Sequence, residues 1–280
     1  VTNLVRRTIT GAFIVIFVLG GLWLHPVSFF LIVAIMIAGT QNEYYTMVRG
    51  TGIRPQTVTG IITGFLLYFI STMVATGWLP GGAFLILIPV VSVIMVIELF
   101  RKVERPFDSL AHTFFSILYT AVPFSLFPFT AFNQTGLEPL IQMKGIEFSP
   151  GIPVGFFLLL WTNDTGAYLV GSMIGRHRLL ERISPKKSWE GFFGGMILTM
   201  LVARLISGWL GVADANGWMI IAVIISLAGT AGDLIESMLK RSLGLKDSGT
   251  IMPGHGGFLD RFDSVVVSFP LVYLYIALLG

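Results

Sequence analysis

Trp218-Met-Ile-Ile-Ala-Val-Ile-Ile-Ser-Leu-Ala-Gly229-Thr-Ala-Gly232-Asp233-Leu-Ile-Glu236-Ser237-Met-Leu-Lys240-Arg241 is as long as a membrane-crossing helix and changes character near its end. A helix needs roughly 20 predominantly apolar residues to cross a bilayer. Trp218 to Gly232 carry no charge, and the remaining nine residues hold Asp233, Glu236, Lys240 and Arg241. Asp233, Glu236 and Lys240 stand at i, i+3 and i+7, so a helix places them on one face. The Gly229-Thr-Ala-Gly232 run is small enough for a neighbouring helix to approach closely. The segment predicts a membrane helix that delivers carboxylates and cations to one end.

The rest of the chain has the same apolar character. Of its 280 residues 54% are hydrophobic and only 12% are charged, and the mean hydropathy is +0.83. Continuous apolar runs exclude a membrane β-barrel, whose strands alternate. The expected fold is all-α, a polytopic integral membrane protein with about nine transmembrane helices. The spans are expected near residues 8–24, 27–47, 58–76, 83–100, 113–132, 152–175, 191–210, 218–239 and 264–280. Residues 1–132 and 152–280 form two groups of helices within one integrated membrane domain, joined by a polar loop at 133–151. No cleavage site follows the first run, which is read as a retained helix. The absence of cysteine excludes disulfides, thiolate metal sites and cysteine nucleophiles.

Sixteen of the eighteen Lys and Arg residues fall in alternate connecting segments, Lys144 is the one basic residue in the others, and Arg204 lies inside a span. The positive-inside tendency then orients the chain in the cell (inner) membrane. The N-terminus and the basic loops are expected in the cytoplasm and the C-terminus outside. The two loops richest in charge, 176–190 and 240–263, share that face.

The second of these loops contains Lys240, Arg241, Lys246, Asp247, His255, Gly256, Gly257, Asp260, Arg261 and Asp263. Asp260 and Asp263 are three apart and face the same way at the start of the last helix. Carboxylate oxygens suit Mg²⁺ or a similar hard cation, with a second cation left open. Backbone amides of a Gly-rich turn approach phosphate oxygens, and the surrounding cations suit phosphates. The combination points to metal-assisted phosphoryl or nucleotidyl transfer. In the 176–190 loop, Lys186, Lys187 and Ser188 are expected at the N-terminus of the seventh helix, a natural anion site. Asp164 lies in a polar Thr162-Asn163-Asp164-Thr165 step within the sixth span, a sign of a cavity or a broken helix.

Plainer readings stand beside these. Asp233 can simply pair with Lys240 or Arg204. Arg101, Lys102 and Arg105 read as topology signals that meet anionic headgroups. Glu43, Glu98 and Glu104 lie near helix ends and are expected to be solvated. His25 and His112 are packing or interfacial residues.

Ser237, Lys240, Arg241, Lys246, Asp247, Pro253, His255, Gly256, Gly257, Asp260, Arg261 and Asp263 carry the resemblance. In order and spacing they resemble the signature of the CDP-diacylglycerol synthases, also called phosphatidate cytidylyltransferases. Met252 departs mildly, standing where the family has another apolar residue. The Asp164-Thr-Gly-Ala-Tyr and Ser184-Pro-Lys-Lys-Ser-Trp-Glu-Gly stretches are similar too. The resemblance is strong over the C-terminal half and generic over the N-terminal half. It implies CTP and phosphatidic acid as partners alongside membrane lipids, Mg²⁺ as cofactor, and CDP-diacylglycerol and pyrophosphate as products. Nothing points to nucleic acid, and a homodimer is left open. On this reading Asp233, Asp260 and Asp263 hold the metal, with Asp164 or Asp247 as substitutes. Lys240, Asp247, His255, Asp260 and Asp263 form the catalytic set. Asp164, Lys186, Lys187, Ser188, Arg241, Lys246, Gly256, Gly257 and Arg261 bind substrates. The competing expectations are another membrane CTP-dependent lipid phosphotransferase and an anion transporter.

Overall fold

The computed structural model of the chain describes residues 3–132, 141–143, 146–210, 214–245, 248–249 and 257–279. It is built from α1 (Asn3–Leu24), α2 (Pro26–Arg49), α3 (Thr57–Ala75), α4 (Leu87–Phe100), α5 (Pro106–Ser116), α6 (Val122–Ser125), α7 (Gly151–Ile174), α8 (Trp189–Leu210), α9 (Ala215–Ser242) and α10 (Leu259–Leu279). A 3₁₀ turn at Gly81–Ile86 leads into α4. α5 and α6 join through a π-helical turn at Ile117–Ala121 into one rod that ends in 3₁₀ form at Thr130. The protein is an all-α, multi-pass membrane protein, and seven of its described helical segments are long and apolar enough to cross a bilayer. Two rods of similar extent differ. The apolar stretch Gly11–Leu24 of α1 is shorter, and α7 is a continuous helix, not a broken one, whose apolar run is interrupted by Thr162-Asn163-Asp164-Thr165.

Local chemistry explains where these helices begin and bend. His25 precedes Pro26, the first residue of α2, and its Nδ1 accepts from Val27 N at 3.1 Å. Asp214 caps α9 by accepting from Gly217 N at 2.7 Å. Pro123 has no N–H to offer the preceding turn, and the π turn lies immediately before it. Around this turn side-chain hydroxyls add bonds to the backbone, Thr120 on Ser116 O and Ser125 on Ala121 O.

The sequence reading placed Lys186, Lys187 and Ser188 at a helix N-terminus. They lie instead on β4 (Ser184–Ser188), which pairs antiparallel with β3 (Arg178–Leu180), and α8 begins only at Trp189. Pro185 and the β-branched Ile183 favour extended backbone. Glu190 in the first turn of α8 reaches back to accept from Arg176 N at 3.1 Å and His177 N at 3.2 Å, with His177 Nδ1 at 2.6 Å. A second hairpin, β1 (Ile141–Met143) with β2 (Ile146–Phe148), lies within the loop before α7.

The core divides along the bundle. Toward the end where α2, α7 and α9 begin, Phe29, Phe127, Phe148, Phe156, Phe157 and Phe269 are buried together, with Phe127 and Phe269 stacked at 3.7 Å. Trp218 occupies space that a side chain at Gly155 would fill. At the other end α7, α8, α9 and α10 converge. A Cβ on Gly195 of α8 would lie 2.8 Å from Asn163 O, and one on Gly232 of α9 would lie 2.7 Å from Asp263 O. These glycines let backbones touch where the charged residues gather.

Candidate active site

Four elements bring charge together at that end. β4 supplies Lys187, whose Nζ is ion-paired with Asp233 Oδ2 on α9. Farther along α9, Lys240 Nζ lies 2.5 Å from Glu236 Oε2 and 2.6 Å from Asp260 Oδ1 at the start of α10. Asp260 Oδ2 accepts from Gly257 N at 2.9 Å, so both of its oxygens are engaged. Asp263, one turn later, is 8% exposed and accepts from Ser264 N at 2.6 Å. Asp164, Asp233 and Glu236 all lie within electrostatic reach of Asp263. Lys187, Asp233 and Arg261 stand in the same relation to Asp164.

The ledger of charge is unbalanced. Among the described residues, Asp164, Asp233, Glu236, Asp260 and Asp263 face Lys187, Lys240 and Arg261. Burying a carboxylate without compensation is expensive. Two more carboxylates than cations among these described residues, with Glu236 and Asp263 buried, favour a further positive charge. The donors are all oxygen, which is the chemistry of a hard divalent cation. Asp263, Asp233 and Glu236 retain coordination capacity, whereas Asp260 is held by Lys240 and Gly257. Among the described residues no three His, Cys, Asp or Glu groups stand close enough to form a complete ligand set by themselves. The residues fit such an ion in charge and donor type, with substrate oxygens and water left to complete its shell.

The site residues expected from sequence are thus distributed unevenly. The structure brings Lys187, Asp233, Lys240, Asp260 and Asp263 together, with Asp164 and Arg261 beside them. Asp233 has Lys187 as its partner, rather than Lys240 or Arg204. Lys186 is exposed, whereas Lys187 is half-buried and turned to Asp233. Ser188 is buried and accepts from Gly191 N at 3.2 Å, which caps α8. Arg241 is exposed and donates to Leu245 O at 3.3 Å. Gly257 is buried beneath Asp260. Lys246, Asp247, His255 and Gly256 lie outside the described residues.

Two carboxylates expected in solvent are buried instead. Glu43 of α2 is 2% exposed, and its Oε2 accepts from Leu259 N at the start of α10. Glu98 of α4 is 4% exposed and bound to Gln56 and Arg101. Glu104 is exposed as expected. Both buried acids lie near helix ends, which normally signals solvation, and their burial comes from helices distant in sequence. One local sign was present for Glu43: Gly39 stands four residues before it on the same face, a gap that another element can fill.

The sequence matches the cytidylyltransferase family over residues 5–279. It is similar to the phosphatidate cytidylyltransferase of Staphylococcus haemolyticus, 34% identical over 218 residues that cover 77% of this chain and 78% of that one. It is also similar to the proteins of the same name from Staphylococcus epidermidis, 46% identical, and Staphylococcus aureus, 48% identical. Those two matches extend over 118 residues, 41% of this chain and 45% of each relative, so they span less than half of the relatives' length.

Proposed function

The chain belongs to the cytidylyltransferase family, and on that premise we propose that it is a phosphatidate cytidylyltransferase, joining CTP to phosphatidic acid to give CDP-diacylglycerol and pyrophosphate in phospholipid biosynthesis. The observation that carries this reading is the charge cluster shared by α7, β4, α9 and α10 at one end of a membrane bundle. One substrate is a lipid whose phosphate lies at the interface, and the other is a soluble nucleotide. A site at the end of the bundle can meet both.

In the reaction a phosphate oxygen of phosphatidate attacks the α-phosphorus of CTP. A new O–P bond forms, the bond to the β-phosphate oxygen breaks, and pyrophosphate leaves with the electron pair. The attacking oxygen is already anionic, so positioning and charge neutralisation dominate over base catalysis. Lys187 and Arg261 neutralise phosphate charge beside Asp164 and Asp233. Lys240 has a different task, since its ammonium is held between Glu236 and Asp260 and fixes the first turn of α10. Asp233 and Asp263 would hold Mg²⁺, which when bound supplies positive charge to the triphosphate. Glu236 and Asp164 would offer carboxylate oxygens to a second cation. The basic ends of the helices face the cytoplasm, where CTP is, and the C-terminus lies outside the cell membrane.

The test uses purified protein in detergent with phosphatidate and CTP labelled on the α-phosphate, with and without Mg²⁺. Label should move into the lipid as pyrophosphate is released, and only with the metal. Transfer of the γ-phosphate to a lipid alcohol would instead make the protein a kinase. No turnover in the absence of a sealed compartment, with solute uptake in vesicles, would make it a transporter.

A further inference from the structure

Glu43 belongs to the N-terminal half, far in sequence from the charge cluster, yet it touches the segment that carries Asp260 and Asp263. Its Oε2 accepts from Leu259 N, the first amide of α10. The first amides of a helix have no partner within it, and a carboxylate there also meets the positive end of the helix dipole. Its other oxygen faces residues on both sides of the 250–256 stretch. A Cβ on Gly249 would run into Glu43 Oε1, and a Cβ on Gly257 would run into both that oxygen and Ser248 Oγ. Ser248, Gly249, Gly257 and Leu259 therefore all gather on one buried carboxylate.

α2 is shaped for this contact over a full turn. Gly39 lies four residues before Glu43 on the same face. A Cβ at Gly39 would sit 2.7 Å from the Phe258 ring, so the missing side chain leaves the space that Phe258 fills. Phe258 and Leu259 are successive residues, one seated on Gly39 and the next bonded to Glu43. The start of α10 is thus fixed in both translation and rotation against α2. Asp260 and Asp263 follow within the first two turns, and their directions are set by that rotation.

We propose that Glu43 is a positioning residue for nucleotidyl transfer: it clamps both flanks of the 250–256 stretch and caps α10 so that Asp260 and Asp263 point into the charge cluster. Glu43 acts through α10 and touches no reacting atom. The proposal rests on the activity proposed above for its kinetic part, while its structural part stands independently.

The experiment compares Glu43→Leu, Glu43→Gln and Glu43→Asp with Gln41→Leu, in full-length protein purified in detergent. Gln41 is a buried neighbour on the same helix that bonds Gly60 O at 3.3 Å, so its loss measures generic damage to α2. A misplacement of the order of an ångström costs about 100-fold in rate, so Glu43→Leu should lower kcat per folded molecule by about that factor. KM for CTP should change little, and Glu43→Gln, which keeps an acceptor, should recover part of the loss. Amide hydrogen exchange over residues 257–263 should be at least about tenfold faster in Glu43→Leu and unchanged in Gln41→Leu. Equal kcat in Glu43→Leu and Gln41→Leu would overturn the positioning role. Unchanged exchange over 257–263 would overturn the clamp itself. If the unaltered protein makes no CDP-lipid, the proposed activity fails, and the exchange measurement still decides the clamp.

Discussion

Two charged networks lie at the same end of the bundle, and they differ in charge balance. In the N-terminal half, Glu98 Oε2 receives Gln56 Nε2 at 2.6 Å and Arg101 Nη1 at 2.8 Å. Arg101 also donates to Ser109 Oγ at 3.0 Å and to Arg54 O at 2.8 Å, and Ser109 Oγ donates to Arg54 O at 2.9 Å. One carboxylate meets one guanidinium, and neutral groups use the remaining donors. The network ties α3, α4 and α5 together. In the C-terminal cluster, carboxylates outnumber cations among the described residues, and Asp263 is buried near three others. Balanced charge with satisfied donors is structural material, whereas a buried surplus of one sign is a standing demand for a ligand. Residue types alone do not separate the two networks, since both combine acids with Lys or Arg near helix ends.

Substitutions in the two networks should therefore have opposite signatures. The largest effect is expected for Asp263→Asn, which keeps shape and removes charge at the centre of the surplus. CDP-diacylglycerol formation should fall by about 1000-fold in kcat with membrane insertion unchanged, as measured by labelled-CTP turnover of purified protein. Near-normal turnover would remove Asp263 from the site. Next come the adjacent lysines. Lys187→Ala leaves Asp233 without its ion-pair partner and should reduce kcat/KM for CTP by about 100-fold. Lys186→Ala alters an exposed position and should stay within about twofold. Similar losses for both would mean that the ion pair with Asp233 does not set Lys187 apart from Lys186. The smallest effect on catalysis is expected from Arg101→Ala. It should destabilise the fold by about 2 kcal/mol, seen as a lower thermal midpoint in detergent, while activity per folded molecule is retained. Lost activity without lost stability would place the N-terminal network in the catalytic machinery.

Much of this was readable in advance, for identifiable reasons. Apolar runs of bilayer length and the alternation of basic segments are local signals, and most of the expected spans coincide with helices to within a few residues, although the fifth begins at Pro106 rather than near 113 and seven described segments, not nine, are long and apolar enough to cross. Helical spacing on α9 placed Asp233, Glu236 and Lys240 on one face, and the structure gathers them at the site. The departures share one cause. Lys186 and Lys187 were read onto a helix because α8 starts just after them, but Arg178–Leu180 offered a strand partner. Glu43 and Glu98 were read as solvated because each is near a helix end, but α10 covers the first and Gln56 with Arg101 covers the second. In each case a long-range contact overrode a local tendency.

The sequence by itself determined that this is a helical membrane protein, which of its ends carries charge, and which residues of the C-terminal half belong to a cytidylyltransferase-like signature. Those properties depend on bilayer thickness, side-chain period and spacing along the chain. Only the tertiary structure decided which cation meets which carboxylate, that Lys240 bridges Glu236 and Asp260, and that a carboxylate on α2 caps the helix carrying Asp263. Pairing of buried charges depends on distances between helices set by packing at residues such as Gly39 and Gly232. That information is held jointly by segments more than two hundred residues apart, as the 216-residue separation of Glu43 and Leu259 shows.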